Sequence, residues 1–567
     1  MRNKYSIGLD FGTNSCRSLV VNLRSGKEIA TDVFNYPTGE SGILIDPKDP
    51  NLARQHPRDY LDGISTTIPR LIRQARKADR KFDPNNIIGI GIDTTGSSPM
   101  PVDREGVPLA FSRKFKNNLD AMVWLWKDHT SYREAAQITD LARRVRPHYL
   151  AKVGGTYSSE WFWSKVLHCK NVAPAVFKAA HSFVEVCDYI PGVLAGESRP
   201  EKIVRSVCAA GHKAMYNETW GGLPDRDFLS LLSAELAELR NRLYEKAYPS
   251  DCLAGSLSPS WAKKLGLKPG VAIAVGGFDA HHGAVGAGVK EGTLVKILGT
   301  STCDIMVWPS NKELADIPGV CGIVDGSVLP RYFGIEAGQS AVGDIFLWFV
   351  HHLTPSKWGK SVDEKFKNLE AAAAKLRPGE HGLLALDWNN GNRTILVDVR
   401  LTGLLIGQTL HTQAHEIYRA LIEATAFGAL TIINRIEEDG VPIKEIVNCG
   451  GLAAKSPLLM QIYADITGRP MKVSSSDQTP ALGAAIFGAV AAGADAGGFS
   501  NVEAAQEAMT STRKVYQPNP QHHDVYRELY NLYRKLHDAF GTPGWSGTMY
   551  NVMKDLLTLR DQQRKKV

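Results

Sequence analysis

One short pattern of residues occurs twice in the chain, with nearly half of the sequence between the two copies. Residues 8–21 and residues 295–307 each predict an apolar strand, a turn that contains Gly-Thr, and a second apolar strand. A chain of 567 residues is too long for one hydrophobic core to be the default. The repeat therefore implies that a similar unit opens each of two domains, which face a shared cleft. We predict an N-terminal domain at residues 1–285 and a C-terminal domain at residues 286–567.

The apolar residues elsewhere follow two different spacings. Apolar runs at residues 87–92, 271–275 and 446–447 end in Gly or Asp, which is typical of buried strands that lead into loops. Residues 59–75 and 416–433 have apolar residues at helical spacing instead. The sequence thus predicts an α/β protein.

The composition argues against several classes of protein. The formal net charge is +7, but Lys and Arg are scattered, and the densest basic run, residues 564–566, favours a solvated tail over a nucleic-acid site. The eight cysteines include no Cys-x-x-Cys pair, which predicts reduced thiols. Residues 481–493 are too short and too rich in Ala and Gly for a membrane span and predict a closely packed interior helix. With no signal peptide apparent, we expect a cytoplasmic protein without a nucleic-acid or membrane partner.

The Gly-Thr turns carry groups that phosphate binding requires. Such turns expose backbone N–H groups and a hydroxyl to phosphate oxygens, and Asp10, just before the first turn, can hold a hydrated Mg²⁺. One copy alone is typical of an ordinary hairpin, whereas two matched copies favour a clamp for a polyphosphate. A Walker A loop is excluded, because Thr354 stands where its first glycine belongs. The candidate residues of the clamp are Asp10, Gly12, Thr13, Asn14, Gly299, Thr300 and Ser301.

A third glycine-rich turn follows the predicted strand near residue 447. Gly450 and Gly451 leave that strand, and Ser456 and Pro457 are a good N-cap and first residue for the next helix. Backbone without side chains could lie against a nucleotide at Gly450 and Gly451. A simple strand-to-helix turn would have the same sequence, so the segment by itself leaves both interpretations open.

Asp279 is the candidate general base. It stands between glycines at the end of a predicted strand, near the predicted domain boundary, where a cleft would place it. Phosphoryl transfer to an alcohol needs mainly positioning and charge neutralisation, with one carboxylate that takes the hydroxyl proton. The neighbouring His281 and His282 lack the spacing of metal ligands, and we assign them no role.

Hydrogen-bonding side chains cluster near the ends of several predicted strands, as a sugar pocket requires. In the first half these clusters are residues 94–97, 126–128, 158–163 and 211–213. In the second half Glu336 precedes an apolar helix. Lys213 and Glu336 could project into the cleft or belong to surface ion pairs, and we interpret the tryptophans of the clusters as core residues.

Together these motifs resemble the FGGY family of carbohydrate kinases, and the resemblance covers essentially the whole chain. The motifs that follow the family's order are residues 8–13, 276–288, 299–301 and 450–451. Residues 403–423 resemble the second family signature, with Gln408 where an aliphatic residue is usual. Longer runs resemble the family members that phosphorylate ribulose; these are residues 158–161, 210–213, 299–304 and 336–340.

The resemblance implies an actin-like, ribonuclease-H-like core in each of the two domains. It implies that ATP and Mg²⁺ bind at the two Gly-Thr turns and at Gly450 and Gly451, with Asp10 orienting the ion through water. It also implies a sugar pocket near Gly96, Lys213, Asp279 and Glu336.

The same resemblance implies the reaction. The expected activity is ATP-dependent phosphorylation of L-ribulose to L-ribulose 5-phosphate in L-arabinose degradation, with D-ribulose as a second candidate substrate. Two alternatives stay open: another sugar kinase of the family, acting on xylulose or glycerol, and an actin-like ATPase that needs no sugar. Assembly as a homo-oligomer also stays open.

Overall fold

The computed structural model describes residues 3–565, so Lys566 of the C-terminal basic run lies outside the described residues. In the first half the strands are β1 (Tyr5–Phe11), β2 (Ser15–Asn22), β3 (Glu28–Asn35), β4 (Leu44–Asp46), β5 (Asp49–Gln55), β6 (Ile87–Thr94), β7 (Pro99–Val102), β8 (Val123–Trp124), β9 (Ser182–Glu185), β10 (Leu253–Ser256), β11 (Ala272–Ala274) and β12 (Gly277–Phe278). The helices there are α1 (Pro57–Ala78), α2 (Tyr132–Val145), α3 (His148–Ala151), α4 (Phe162–Val172), α5 (Pro174–Ala179), α6 (Val186–Ala195), α7 (Val207–Ala214), α8 (Arg226–Leu232), α9 (Ala234–Arg240), α10 (Pro259–Leu265) and α11 (Asp279–Gly286).

The second half continues with strands and longer helices. Its strands are β13 (Thr293–Leu298), β14 (Thr302–Pro309), β15 (Gly322–Asp325), β16 (Tyr332–Ala337), β17 (Leu384–Leu386), β18 (Leu404–Ile406), β19 (Glu445–Cys449), β20 (Met471–Ser474) and β21 (Thr512–Tyr516). Its helices are α12 (Gly343–His352), α13 (Val362–Ala373), α14 (Ala414–Glu438), α15 (Gly451–Lys455), α16 (Pro457–Thr467), α17 (Thr479–Ala492), α18 (Val502–Met509), α19 (Pro520–Gly541) and α20 (Val552–Lys565).

Two large mixed sheets form the centre of the molecule. The first has the strand order β10-β11-β6-β1-β2-β3, with β12 beside β6, and the second has the order β15-β16-β14-β13-β19-β20-β21. In each sheet the predicted hairpin, β1–β2 or β13–β14, is antiparallel, and its first strand pairs in parallel with a later strand, β6 or β19. The predicted α/β fold with a duplicated strand–turn–strand unit is therefore confirmed.

The two faces of β1 meet different parts of the chain. Tyr5, Ile7 and Leu9 share a buried core with residues of α1 and α6. On the other face an added Cβ at Gly8 would lie 1.7 Å from the carbonyl oxygen of Ala481 in α17. Because side chains alternate along a strand, Asp10 points to the same face as Gly8. That face is the one that looks toward the second sheet.

Helices α11 and α17 pack against each other between the two sheets. Helix α17 contacts β1 and β6, whereas α11 also contacts β13 and β14. At Gly91 of β6 an added Cβ would lie 1.8 Å from the carbonyl oxygen of Ala484, so only glycine permits this approach. The prediction of a closely packed interior helix at residues 481–493 is confirmed, since α17 buries Ala481 to Ala489 almost completely. The domain boundary between residues 285 and 286 falls at the end of α11 and stays a prediction.

The remaining expectations from composition concern thiols and membranes. All eight cysteines have free thiols. Within residues 3–565 there is no helix with the length and apolar character needed to cross a membrane.

Candidate active site

The first Gly-Thr turn joins β1 to β2 at the carboxyl end of β1. The N–H of Gly12 donates to the carbonyl oxygen of Ser15 at 3.0 Å and closes the turn. Gln55 Nε2 donates to the Thr13 carbonyl at 2.6 Å, and Trp126 Nε1 donates to the Thr13 hydroxyl oxygen at 3.0 Å. Because that oxygen already accepts a hydrogen bond, the hydroxyl proton of Thr13 is left to donate to a ligand.

Asn14 is the most exposed residue of this turn. Its Nδ2 donates to the carbonyl oxygen of Ser41 at 2.7 Å, which ties the turn to the loop before β4. The Asn14 side chain therefore stabilises the turn by a hydrogen bond to a neighbouring surface loop. A direct contact between Asn14 and a nucleotide stays a prediction.

Three carboxyl groups meet next to the first turn. Asp10 and Asp93 are directly paired residues of the parallel strands β1 and β6, and Asp279 begins α11. Arg17 Nη1 lies 3.1 Å from Asp10 Oδ2. Burial raises the pKa of Asp93 well above its usual range, and the charges of Asp10 and Asp279 raise it further. The site thus concentrates three acidic side chains beside the turn.

Sequence reasoning found Asp10 and missed both Asp93 and Arg17. The available signal for Asp93 was its place at the end of the apolar run of residues 87–92, where a parallel strand opens into a loop. Its pairing with Asp10 depends on the strand order, which the sequence did not reveal.

Asp279 lies at the first position of α11, where its Oδ1 accepts the N–H of Ala280 at 2.7 Å. Burial raises the pKa of Asp279 to about 7, and the negative charge of Asp10 acts in the same direction. A carboxyl group with a pKa near neutrality can take up a proton and return it under ordinary conditions. These properties suit a general base, and that role of Asp279 stays a prediction.

The second Gly-Thr turn joins β13 to β14. The N–H of Gly299 donates to the carbonyl oxygen of Ser301 at 3.0 Å. The carbonyl oxygen of Thr300 accepts the N–H groups of Val342 at 2.8 Å and Asp344 at 3.1 Å, so the start of α12 packs on the turn. The side chain of Thr300 remains exposed and can reach a ligand.

The Gly450 turn lies directly beside the second Gly-Thr turn. Gly450 has φ 90°, and an added Cβ would lie 2.5 Å from the carbonyl oxygen of Leu298, the residue before Gly299. At Gly451 an added Cβ would meet no described atom within 4 Å, so this backbone borders open space. The structure therefore brings together Gly299 and Gly450, which the sequence placed about 150 residues apart.

Lys213 and Glu336 form a buried ion pair between the two halves of the chain. Lys213 Nζ, on α7, lies 3.3 Å from both carboxylate oxygens of Glu336, on β16. Their exposed fractions are 6% and 9%, so a surface ion pair, one of the two alternatives, is wrong. Burial by itself raises the pKa of Glu336, but Lys213, with smaller effects of His212, His281 and Arg393, outweighs it and holds that pKa well below the usual range. Both side chains are therefore charged.

Aromatic rings surround the Lys213 ammonium group. Nζ lies 5.5 Å from the ring centre of Trp161 and 5.7 Å from that of Phe278. Trp161 is thus both buried, as we interpreted it, and in contact with a candidate substrate residue. Phe278 also fills the space at Gly96, where an added Cβ would lie 1.8 Å from its ring. Since Phe278 precedes Asp279, Gly96 lies beside the segment that carries the candidate base.

Two buried histidines, His212 and His281, pack against Glu336. His212 and His281 approach each other at 3.0 Å between their Nε2 atoms, and His212 Nδ1 lies 3.5 Å from Glu336. Burial lowers the pKa of His281 to about 4, which keeps the ring neutral. Because the two nitrogens of His212 face different partners and Lys213 already neutralises Glu336, we interpret the group as packing support for Glu336.

Arg393 is a further residue that sequence reasoning missed. Its Nη2 donates to the carbonyl oxygen of Thr302 at 2.5 Å, directly after the second Gly-Thr turn. It comes from the irregular segment between β17 and β18, where no motif signals it. The partly buried guanidinium group of Arg393 adds positive charge near the turn and Glu336.

The fold defined by these sheets and turns is that of two-domain sugar kinases. The chain is similar in structure to xylulose kinase from Rhodospirillum rubrum, with a TM-score of 0.75, 20% identity, and coverage of 94% of this chain and 99% of that one. It is also similar to Plasmodium falciparum glycerol kinase with ADP, with a TM-score of 0.74, 14% identity, and coverage of 94% and 98%.

The chain belongs to the FGGY family of carbohydrate kinases. The N-terminal domain of that family matches residues 5–286, and its C-terminal domain matches residues 294–492. The ribulokinase of Shouchella clausii (strain KSM-K16) is 42% identical over 575 residues, covering 99% of each chain. The ribulokinase of Vibrio parahaemolyticus serotype O3:K6 (strain RIMD 2210633) is 42% identical over 549 residues, covering 94% of this chain and 95% of that one. The resemblance stated from the sequence is confirmed.

Proposed function

We propose that this carbohydrate kinase transfers the γ-phosphate of ATP to L-ribulose and forms L-ribulose 5-phosphate, as a step of L-arabinose degradation. Relatives named ribulokinase at about 40% identity over the full chain support the choice of sugar. The observation that carries the proposal is the position of Asp279. The charges of Asp10, beside one Gly-Thr turn, and of the Lys213–Glu336 pair all act on its carboxyl group.

In this proposal the nucleotide lies along the two Gly-Thr turns. Thr13 and Thr300 donate hydroxyl and backbone hydrogen bonds to phosphate oxygens, and the open backbone at Gly451 leaves room for the nucleoside. Arg393 lies close enough to the second turn to offset negative charge there.

The residues beside the first turn fit Mg²⁺. Asp10 offers hard oxygen donors, and the surplus of buried carboxyl groups over Arg17 favours a divalent cation. When bound, Mg²⁺ would neutralise phosphate charge and orient the γ-phosphate.

The sugar lies between Lys213, Glu336 and Asp279. Lys213 donates to hydroxyl or carbonyl oxygens of the substrate, whereas Glu336 accepts from its hydroxyl groups. The absence of a side chain at Gly96 allows the ring of Phe278 to lie against the backbone there, on the wall of this pocket. Both charged groups are already desolvated and held in place, so little reorganisation is needed when the sugar binds.

Asp279 then takes the proton of the terminal hydroxyl group of the sugar. The oxygen forms a bond to the γ-phosphorus while the bond from that phosphorus to the bridging oxygen of ADP breaks. Exclusion of water from the cleft limits hydrolysis of ATP.

The test follows ADP release with Mg·ATP and a panel of L-ribulose, D-ribulose, the xyluloses, glycerol and no sugar. We expect L-ribulose to stimulate ADP release most strongly. Asp279→Asn should lower kcat at least about 100-fold, because it removes the base, and should leave ATP binding intact. Asp62→Asn, an exposed change of the same chemistry on α1, is the matched control and should behave like the original protein.

Each alternative has its own outcome in the same experiment. Preference for D-ribulose, a xylulose or glycerol would keep the kinase and overturn the substrate. ADP release that ignores every sugar would favour an actin-like ATPase. A kcat for Asp279→Asn close to that of Asp62→Asn would remove Asp279 from the role of base.

A further inference from the structure

Asp93 is a buried carboxyl group whose near polar neighbour is a second carboxyl group, Asp10. It is 0% exposed, and within residues 3–565 neither of its carboxylate oxygens has a hydrogen-bond partner from a donor group. Leaving a buried polar group unpaired costs free energy, and for a charged group that cost is large. That cost is removed if Asp93 shares a proton with Asp10 or if a cation binds beside the two carboxyl groups.

The strand register directs Asp93 and Asp10 to the same place. Asp10 pairs with Asp93 as Gly8 pairs with Gly91, so both carboxyl groups lie on the face that α17 covers. Ala481 and Ala484, in the first turns of α17, lie against the two glycines. Asp10 and Asp93 follow these glycines by two residues on the same face of β1 and β6. Their carboxyl groups therefore lie near the N-terminal end of α17.

The local charges do not balance. Asp10 has the half-exposed Arg17 as its partner, whereas Asp93 adds a second carboxyl group and Asp279 a third. A divalent cation would remove this imbalance, and paired carboxylate oxygens are the donors that Mg²⁺ prefers.

The second half of the chain provides an internal comparison. Alignment of the two Gly-Thr turns places Ile297 where Asp10 stands, and Ile297 pairs with Cys449 just as Asp10 pairs with Asp93. The same strand pairing thus forms without any carboxyl group. Because the fold does not need the Asp10–Asp93 pair, a ligand at the first turn is the better explanation for it.

We propose that Asp93 is a second carboxylate of the Mg²⁺ site and holds the ion together with Asp10 at the first Gly-Thr turn. This inference rests on the proposed function, since the ion is the one that accompanies ATP. It also explains why the paired positions two residues before the turn are acidic in the first hairpin, at Asp10 and Asp93, and apolar or thiol in the second, at Ile297 and Cys449.

The experiment measures the affinity for ADP by calorimetry, with excess Mg²⁺ and with EDTA. In the original protein we expect Mg²⁺ to tighten ADP binding at least about 10-fold. Asp93→Asn should lose most of this tightening, while its affinity for metal-free ADP stays equal or improves because a negative charge is removed. Asp62→Asn should keep the full effect of Mg²⁺.

A direct count of bound metal accompanies this measurement. Mn²⁺ replaces Mg²⁺ with ADP present, and electron paramagnetic resonance reports the free ion. Asp93→Asn should bind Mn²⁺ at least about 10-fold more weakly than Asp62→Asn does. Asp93→Ser provides a smaller replacement, and circular dichroism checks that each variant is folded.

An unchanged effect of Mg²⁺ on ADP binding in Asp93→Asn would overturn the proposal. A variant with normal metal binding but a raised KM for the sugar would overturn it too, because Asp93 would then contact the substrate. Failure of the proposed function would look different: the original protein would bind Mg·ADP normally and show no sugar-dependent ADP release.

Discussion

Asp279 shows how one residue acquires its chemistry from its surroundings. In the sequence it is a carboxyl group between glycines. In the structure, burial and the nearby Asp10 raise its pKa to about 7, a value at which a carboxyl group can serve as a base and release the proton again. The residue type is visible in the sequence, but the shift arises from groups contributed by other elements.

The pH dependence of catalysis follows from that shift. Below about pH 7 Asp279, the proposed base, is protonated and cannot accept a substrate proton, so under this proposal kcat/KM should fall about 10-fold per pH unit on the acid side. Steady-state rates from about pH 5.5 to about pH 8.5 check this expectation. The residual rate of Asp279→Asn should lack the acid limb. An acid limb that persists in this variant would assign it to another group.

Helix α17 shows how an element can be positioned by the absence of side chains. Strands β1 and β6 have glycines on the face that packs against α17, and α17 has alanines and glycines at the contact. The strand and helix backbones can therefore contact each other directly. Such close packing allows α11 and α17 to fit together between the two sheets. The carboxyl groups of the candidate site at the ends of β1 and β6 depend on this packing for their position.

Gly91→Ala tests the close approach. The added methyl group would lie 1.8 Å from the carbonyl oxygen of Ala484, and the backbone of α17 must shift. We expect a loss of about 2–4 kcal/mol in stability, measured as a lower unfolding midpoint in urea. Gly283→Ala in α11 is the control: its added Cβ has its nearest atom at 3.6 Å and should be neutral or stabilising by up to about 1 kcal/mol. Equal midpoints for the two variants would contradict the packing argument.

At the scale of the whole molecule, the Lys213–Glu336 pair joins the two halves of the chain across 123 residues of sequence. Lys152 and Asp316 make a second ion pair between the halves, at 2.5 Å and more exposed. The candidate sugar pocket therefore lies where the halves meet, and its main polar groups have a structural role as well as a proposed binding role.

Separate variants can distinguish these two roles. Glu336→Gln leaves the buried ammonium group of Lys213 without a counter-charge, and we expect it to cost about 3 kcal/mol, seen as a lower urea midpoint. The double variant Lys213→Met with Glu336→Gln should recover most of that stability, because no unpaired charge remains. It should not recover activity with sugar. A double variant as unstable as Glu336→Gln would contradict this account of the pair.

Local signals in the sequence were sufficient for the elements that depend on neighbouring residues. The two Gly-Thr hairpins, the α/β pattern, the glycine turn at Gly450 and the interior helix at residues 481–493 all appear in the structure, since strand alternation and turn glycines are local properties. The position of Asp279 at a strand end was visible for the same reason.

The sequence by itself thus determined the repeated unit, the class of fold and the residue types suited to phosphate and proton chemistry. Tertiary structure alone decided which of them meet: Asp10 with Asp93, Gly299 with Gly450, and Lys213 with Glu336. The reason is physical. Pairing of parallel strands and contacts between distant helices and strands depend on strand order and on packing of the whole chain, and no local pattern encodes either.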